Sequence, residues 1–176
     1  VFRQDGNLDG IFPSVSGSLG GLRKKAAEYA NTLQSVLILG EEGTGKTKTA
    51  YTLYSQSSYA LNPFYEINCR LMTQKNWDQL MTSTNSILLG KKCTLFFRNM
   101  ECLSGEQARM LLDYLHFSKA DVRNRLLFSL KIPEKGEFSV KNEILQSLSC
   151  LVFQIPALRD RKEELPSMAA LYINQM

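Results

Sequence analysis

Five short segments rich in apolar, β-branched and aromatic residues punctuate the chain, and between them apolar residues recur at three- and four-residue intervals. Val36-Leu37-Ile38-Leu39 has the length and continuity of a buried strand. Phe64-Tyr65-Glu66-Ile67-Asn68-Cys69 follows Pro63 and reads as a second strand, and Cys93-Thr94-Leu95-Phe96-Phe97 as a third. Arg125-Leu126-Leu127-Phe128-Ser129-Leu130 is the fourth, and Cys150-Leu151-Val152-Phe153-Gln154-Ile155, stopped by Pro156, the fifth.

Helical periodicity fills the intervals. A first helix runs from Leu19 or Leu22 to Asn31 with Leu22, Ala26, Ala27 and Ala30 on its apolar face, and Lys48 to Tyr54 continues as helix after the first strand. Trp77, Leu80 and Met81 mark a short helix ending before Ser83, with Trp77 as a packing anchor. Gln107 to Phe117 is strongly amphipathic, with Ala108, Leu111, Leu112 and Leu115 inward and Ser104 as N-cap. Val140 to Leu148 is a short helix after a turn at Pro133 to Gly136, and a last helix begins near Arg161. Residues 1–17, with Asp9-Gly10 and Phe12-Pro13-Ser14, read as irregular. Strands alternating with helices predict an α/β fold: a parallel five-stranded sheet with helices on both faces and a ligand outside the carboxyl ends of the strands.

Composition narrows the class. The 176 residues are enough for one domain, residues 1–176, that buries a core without disulfides. With 44% hydrophobic and 22% charged residues the chain is an ordinary globular one, and no apolar run is long enough for a membrane span. No signal-peptide pattern opens it, so the expected location is cytoplasmic. The net charge of +4 suits a polyanionic ligand, yet no basic run with interleaved aromatics marks a nucleic-acid surface. Cys69, Cys93, Cys102 and Cys150 lack metal-site spacing and read as reduced, mostly buried thiols, and His116 as a surface residue of a helix.

The chemistry lies in Gly40-Glu41-Glu42-Gly43-Thr44-Gly45-Lys46-Thr47, a full G-x-x-x-x-G-K-T pattern between a strand and a helix. The glycines let the backbone turn so that its N–H groups face an anion, and the helix starting near Lys46 adds its positive end. Lys46 reaches for phosphate oxygens; the Thr47 hydroxyl ordinarily ligates Mg²⁺. The expected ligand is ATP or ADP, with Mg²⁺ left open.

Five motifs in order give the chain a family resemblance. Val36 through Lys46 is similar to V-L-I-x-G-E-x-G-T-G-K, Pro63-Phe64 with Ile67-Asn68-Cys69 to P-F-x-x-x-N-C, and Thr94-Leu95-Phe96-Phe97 to T-L-F-L. Gln107 to Leu112 resembles Q-x-x-L-L-R, and Pro156 to Leu165 resembles P-P-L-R-E-R-x-E-D-I. These are motifs of the AAA+ domain of bacterial enhancer-binding proteins, the activators of sigma-54 RNA polymerase; Ala26 to Thr32 resembles the A-x-x-Y-A-x-T of propionate-regulator-like members. The resemblance implies an AAA+ P-loop α/β subdomain, with residues 157–176 beginning the connection to a lid subdomain that is mostly absent. It also places Val15 and Gly17 where the family lines its adenine pocket.

Departures from the pattern matter as much. The family ends its third strand in Asp-Glu, which orders Mg²⁺ and polarises the attacking water; Arg98 and Asn99 stand there. Arg98 is expected to point a cation at the metal position, disfavouring Mg²⁺ and contacting phosphate. Glu101 lies two residues beyond Asn99, on a chain expected to be leaving the strand. The family's sensor asparagine aligns with Lys131, its arginine fingers with Ser139 or Lys141 and with Ser147, and no arginine occurs between Arg125 and Arg159. The sigma-contacting G-A-F-T-G-A loop is absent: Arg70 to Lys92 is 23 residues with one glycine, Gly90.

The leading expectation is a nucleotide-binding domain of a sigma-54-type transcriptional regulator that neither hydrolyses ATP appreciably nor contacts sigma-54. DNA binding falls to other parts of the parent protein, self-association into a homo-oligomer stays open, and no membrane partner is expected. Two alternatives stand beside it: a working ATPase using Glu101 or a partner's residues, and an oligomerisation module that has lost nucleotide.

Overall fold

The computed structural model describes residues 18–132 and 139–174. Five strands form one parallel sheet in the order β2-β3-β4-β1-β5: β1 Val36–Gly40, β2 Phe64–Asn68, β3 Thr94–Arg98, β4 Arg125–Lys131 and β5 Leu151–Gln154. β1 lies between β4 and β5, pairing Val36 with Leu127 of β4 on one side and with Leu151 of β5 on the other. Its five residues are all buried, which is why it reads as a continuous apolar run rather than an alternation. β2, at an edge, leaves Tyr65 and Glu66 exposed.

The sheet separates two apolar layers by strand parity. Leu37 and Leu39 of β1 join Leu95, Phe97, Leu126, Phe128 and Leu130 on one face, packed against α3 Gln74–Thr82, α4 Gly105–Phe117 and α6 Ser139–Ser147. The phenyl rings of Phe97 and Phe128 stack at 5.3 Å, and Trp77 of α3 is buried there. On the other face Val36, Ile38, Phe96, Leu127 and Phe153 meet Ala26 and Ala30 of α1 Ser18–Ala30 and Ala50 and Leu53 of α2 Lys46–Ser55. The α/β fold with helices on both faces is therefore as the periodicity predicts.

Differences from the expected elements have local causes. α4 starts earlier than Gln107 because Ser104 and Gln107 close a reciprocal capping box, which sets the helix start at Gly105. A short helix, α5 Ala120–Arg123, follows the left-handed Lys119. The last helical segment is two pieces, a 3₁₀ run Leu158–Glu164 and α7 Leu165–Asn174, because Arg161 has non-helical backbone angles. Pro166 falls in the first turn of α7, where a missing N–H costs nothing. Cys102 departs from the expectation of burial: it is exposed at the end of a 3₁₀ turn, while Cys69 and Cys93 are buried. The turn expected at Pro133 to Gly136 lies outside the described residues, as does the irregular segment 1–17.

Arg125 is more than the start of a strand. It is fully buried, and its guanidinium donates to Leu53 O at 2.8 Å and to Tyr29 O, carbonyls in the last turns of α2 and α1. Those carbonyls have no partner within their own helices, so one cation caps two negative helix ends at once. Burial pushes the Arg125 pKa down to about 10, which still leaves it charged at neutral pH.

Candidate nucleotide site

The loop after β1 closes on itself. A Cβ on Gly40 would lie 2.5 Å from the Thr44 hydroxyl oxygen, so only glycine admits this approach. Thr44, buried, donates that hydroxyl to Glu41 O at 2.8 Å. Gly43 and Gly45 have φ of 76° and 93°, the left-handed region that glycine enters without a steric penalty. Gly45 then serves as the N-cap of α2, and the helix's first N–H groups open beside the loop.

Lys46 is the first residue of α2, and its Nζ donates to Gly40 O at 3.0 Å and to Glu41 O at 2.6 Å. Burial lowers its pKa from the ordinary lysine value, with Glu101 and Glu42 partly offsetting that effect. A cavity of about 260 Å³ adjoins this ammonium. Of the loop residues, Glu42, Gly43, Gly45, Lys46 and Thr47 line it; Gly40, Glu41 and Thr44 shape the turn from behind. Val15 and Gly17 lie outside the described residues. Glu41 instead accepts from Arg159 at 2.7 Å, a contact that holds its carboxyl below the usual range.

Opposite the loop, the carboxyl ends of three neighbouring strands supply the other wall. Arg98 at the end of β3 lines the cavity, but its guanidinium donates to Glu66 of β2 at 3.0 Å instead of pointing at an open metal position. This corrects the expected orientation. Glu66 shares the face of the sheet with Arg98, and Tyr51 of α2 donates to its other oxygen at 2.8 Å, so the acceptor is held in place before any ligand arrives.

Glu101 also corrects an expectation. Asn99 adopts a left-handed conformation, φ 60° and ψ 50°, which asparagine tolerates better than most residues. The chain therefore turns sharply into the 3₁₀ turn Met100–Cys102 instead of leaving the strand, and Glu101 comes back to line the cavity. Its carboxylate accepts from Asn99 Nδ2 at 3.3 Å and from the Lys131 backbone N–H at 3.1 Å. Asn99 N–H donates to the Ser129 hydroxyl at 3.1 Å, tying the bend to β4.

Arg70, Lys48, Ser129 and Lys131 complete the lining and were not among the residues expected to bind a ligand. Lys131 had a sequence signal, its alignment with a sensor position; Arg70 had none, since only the 3₁₀ turn Cys69–Leu71 brings it to the loop.

The donor set fits a polyphosphate: loop amides and a helix start border one cavity lined by five cations, of which Arg98 is turned to Glu66. It does not fit a resident Mg²⁺. The two carboxylates in the lining are both committed, Glu42 to Arg70 and Lys131 and Glu101 to Asn99 and Lys131, whereas a hard cation needs oxygen ligands free to coordinate it.

Residues 14–96 match the model of the family described as Sigma-54 interaction domain. The chain is 26% identical over 213 residues to the DNA-binding transcriptional regulator NtrC of Proteus hauseri, covering 98% of this chain and 43% of the relative. It is 25% identical over 187 residues to the Nif-specific regulatory protein of Bradyrhizobium diazoefficiens, covering 91% of this chain and 32% of that protein. The chain thus spans less than half the length of these relatives. In fold it is similar to NtrX from Brucella abortus, solved in complex with ATP, with a TM-score of 0.76 and 22% identity over 92% of this chain and 42% of NtrX. It is also similar to the P-loop NTPase domain of the sigma-54 transport activator from E. coli, with a TM-score of 0.55 and 20% identity over 78% of this chain and 93% of that one. With a P-loop between β1 and α2 and a five-stranded parallel sheet, the chain has an α/β fold similar to that of solved P-loop NTPase domains, and over residues 14–96 it is similar to the Sigma-54 interaction domain family.

Proposed function

We propose that this domain binds ATP or ADP as a structural or signalling ligand within a transcriptional regulator, and that it neither turns ATP over appreciably nor contacts sigma-54. The observation that carries the reading is the asymmetry of one cavity: the loop side is complete, with Lys46 and two left-handed glycines, while the strand side presents Arg98 and Asn99 where an acid pair would order a metal and a water. The ATP complex of NtrX supports nucleotide as the ligand. The connection from Arg70 to Lys92 is occupied by α3 and a 3₁₀ turn, Ile87–Leu89, which supports the absence of a projecting sigma-contacting loop. DNA binding and effector sensing belong, on this reading, to other parts of the parent protein. Among the described residues no helix is long and apolar enough to cross a membrane.

The test is titration calorimetry with ATP on wild type and Lys46→Ala. Loss of the ammonium should lower affinity at least about tenfold, the worth of one charge-assisted contact; equal affinity in the two proteins would end the nucleotide reading.

A second reading has one observation in its favour. Glu101 sits in the cavity with its carboxylate oriented by two donors, where a carboxylate can polarise water. Glu101→Gln separates the two: wild-type phosphate release of about 1 s⁻¹ or faster, the low end of typical enzyme rates, that Glu101→Gln abolishes would make the domain an ATPase.

A further inference from the structure

Three cations stand side by side along the carboxyl edge of the sheet. In the strand order β2-β3-β4 they are Arg70, just past β2, Arg98, ending β3, and Lys131, ending β4; β1 and its loop come next. Arg70 Nη1 and Lys131 Nζ each lie 3.4 Å from an oxygen of Glu42, one from each side chain, so two cations from different strands converge on a single carboxylate of the P-loop. That convergence holds the Glu42 carboxyl below its ordinary pKa, with Lys131 the larger influence.

The lining holds five cations, Lys46, Lys48, Arg70, Arg98 and Lys131, against two carboxylates; with Arg98 offset by its ion pair to Glu66, an excess of two positive charges remains around one small cavity. A divalent cation entering there meets repulsion and has no uncommitted carboxylate to ligate it. A polyanion meets the opposite. The arrangement has a chemical consequence: the charge that a metal ordinarily brings to a triphosphate is already supplied by side chains.

We infer that Arg70 and Lys131 are phosphate-binding residues that take the place of the divalent metal, so that the ligand of this site is a metal-free nucleoside triphosphate. The inference rests on the reading of the P-loop as nucleotide-binding. Glu42 acts as the resident anion: it occupies Arg70 and Lys131 in the unliganded protein and yields them to phosphate oxygens when the nucleotide enters. Both cations are about half exposed, 51% and 41%, so their side chains can follow the ligand and their replacement leaves the core untouched.

The experiment is calorimetric titration of the full chain with ATP in EDTA and in Mg²⁺, on wild type, Arg70→Gln/Lys131→Gln and Glu42→Gln. Wild type should bind ATP in EDTA at least as tightly as in Mg²⁺. The double variant should lose about tenfold or more in EDTA, as expected for removing charge-assisted contacts, and should become Mg²⁺-dependent because the ion then supplies the missing charge. Glu42→Gln should bind metal-free ATP several-fold more tightly than wild type, since nothing competes for the two cations. Wild-type affinity about tenfold higher in Mg²⁺ than in EDTA, or a double variant indistinguishable from wild type in EDTA, would overturn the assignment while leaving nucleotide binding intact. Absence of binding by wild type in both buffers would overturn the nucleotide reading itself, and this inference with it.

Discussion

Arg98 and Glu66 form a cross-strand ion pair, Nη1 to Oε1 at 3.0 Å, on one face of β2 and β3. Glu66 lies opposite Phe96 in the register, so Arg98 reaches one pleat repeat back along the sheet, away from the loop. Tyr51 holds the other carboxylate oxygen, which fixes the acceptor and with it the guanidinium. Removing the acceptor should release the arginine towards the cavity. Glu66→Gln is expected to raise the affinity for metal-free ATP several-fold and to change unfolding stability by less than about 1 kcal/mol, the usual worth of a partly exposed pair. Titration calorimetry and urea denaturation check both; unchanged affinity would mean that Arg98 is not restrained by Glu66.

Installing an acid pair at the end of β3 should bring in a metal before it brings in chemistry. Arg98→Asp with Asn99→Glu is expected to make ATP binding Mg²⁺-dependent while phosphate release stays slow, because no arginine lies between Arg125 and Arg159 to serve a neighbouring site, and loss of a trans arginine alone costs on the order of 10³- to 10⁵-fold. Glutamate at the left-handed position 99 costs roughly 1–2 kcal/mol, and the new aspartate faces Glu66, so the variant should also melt earlier. Turnover restored to about 1 s⁻¹ or faster, the low end of typical enzyme rates, would contradict this account.

Arg125 should be a stability residue with no part in the site. Arg125→Met removes the donor from two buried helix carbonyls, and each carbonyl left without a partner costs about 1–3 kcal/mol. Arg125→Lys, with an ammonium in place of the fork, should recover part of that loss. Urea unfolding of both variants measures it; a methionine variant as stable as wild type would show that apolar packing compensates fully for the lost caps.

Tyr51 should ionise unusually late. Burial first, and then its hydrogen bond to the Glu66 carboxylate, push its phenol pKa up to about 12. The folded chain thus keeps a proton that the unfolded chain loses near pH 10. The associated stability is full below about pH 10 and is lost as the pH rises through about 12. Phenolate absorbance of wild type minus Tyr51→Phe across this range gives the titration directly, and a Tyr51 component near pH 10 would refute the expected burial and bonding.

What the sequence by itself determined follows from local rules. The β1 run Val36–Leu39, the loop Gly40–Thr47 and the α4 face Ala108, Leu111, Leu112 and Leu115 are each legible because periodicity, backbone freedom and capping act between near neighbours in the chain. The parallel sheet follows from their alternation, and the residues that end the third strand, Arg98 and Asn99, can be read without any coordinates. What only the tertiary structure decided are relationships that depend on strand order. Arg70 and Lys131 are 61 positions apart in the chain, yet both reach Glu42 because β2 and β4 flank β3 in the sheet. Arg98 turns to Glu66 because register sets the two on one face. Glu101 returns to the cavity because the left-handed angles of Asn99, held through its N–H by Ser129 of β4, reverse the chain at the end of β3. Residue spacing encodes none of these, since each arises from packing elements that are distant in sequence, and together they set the charge of the site.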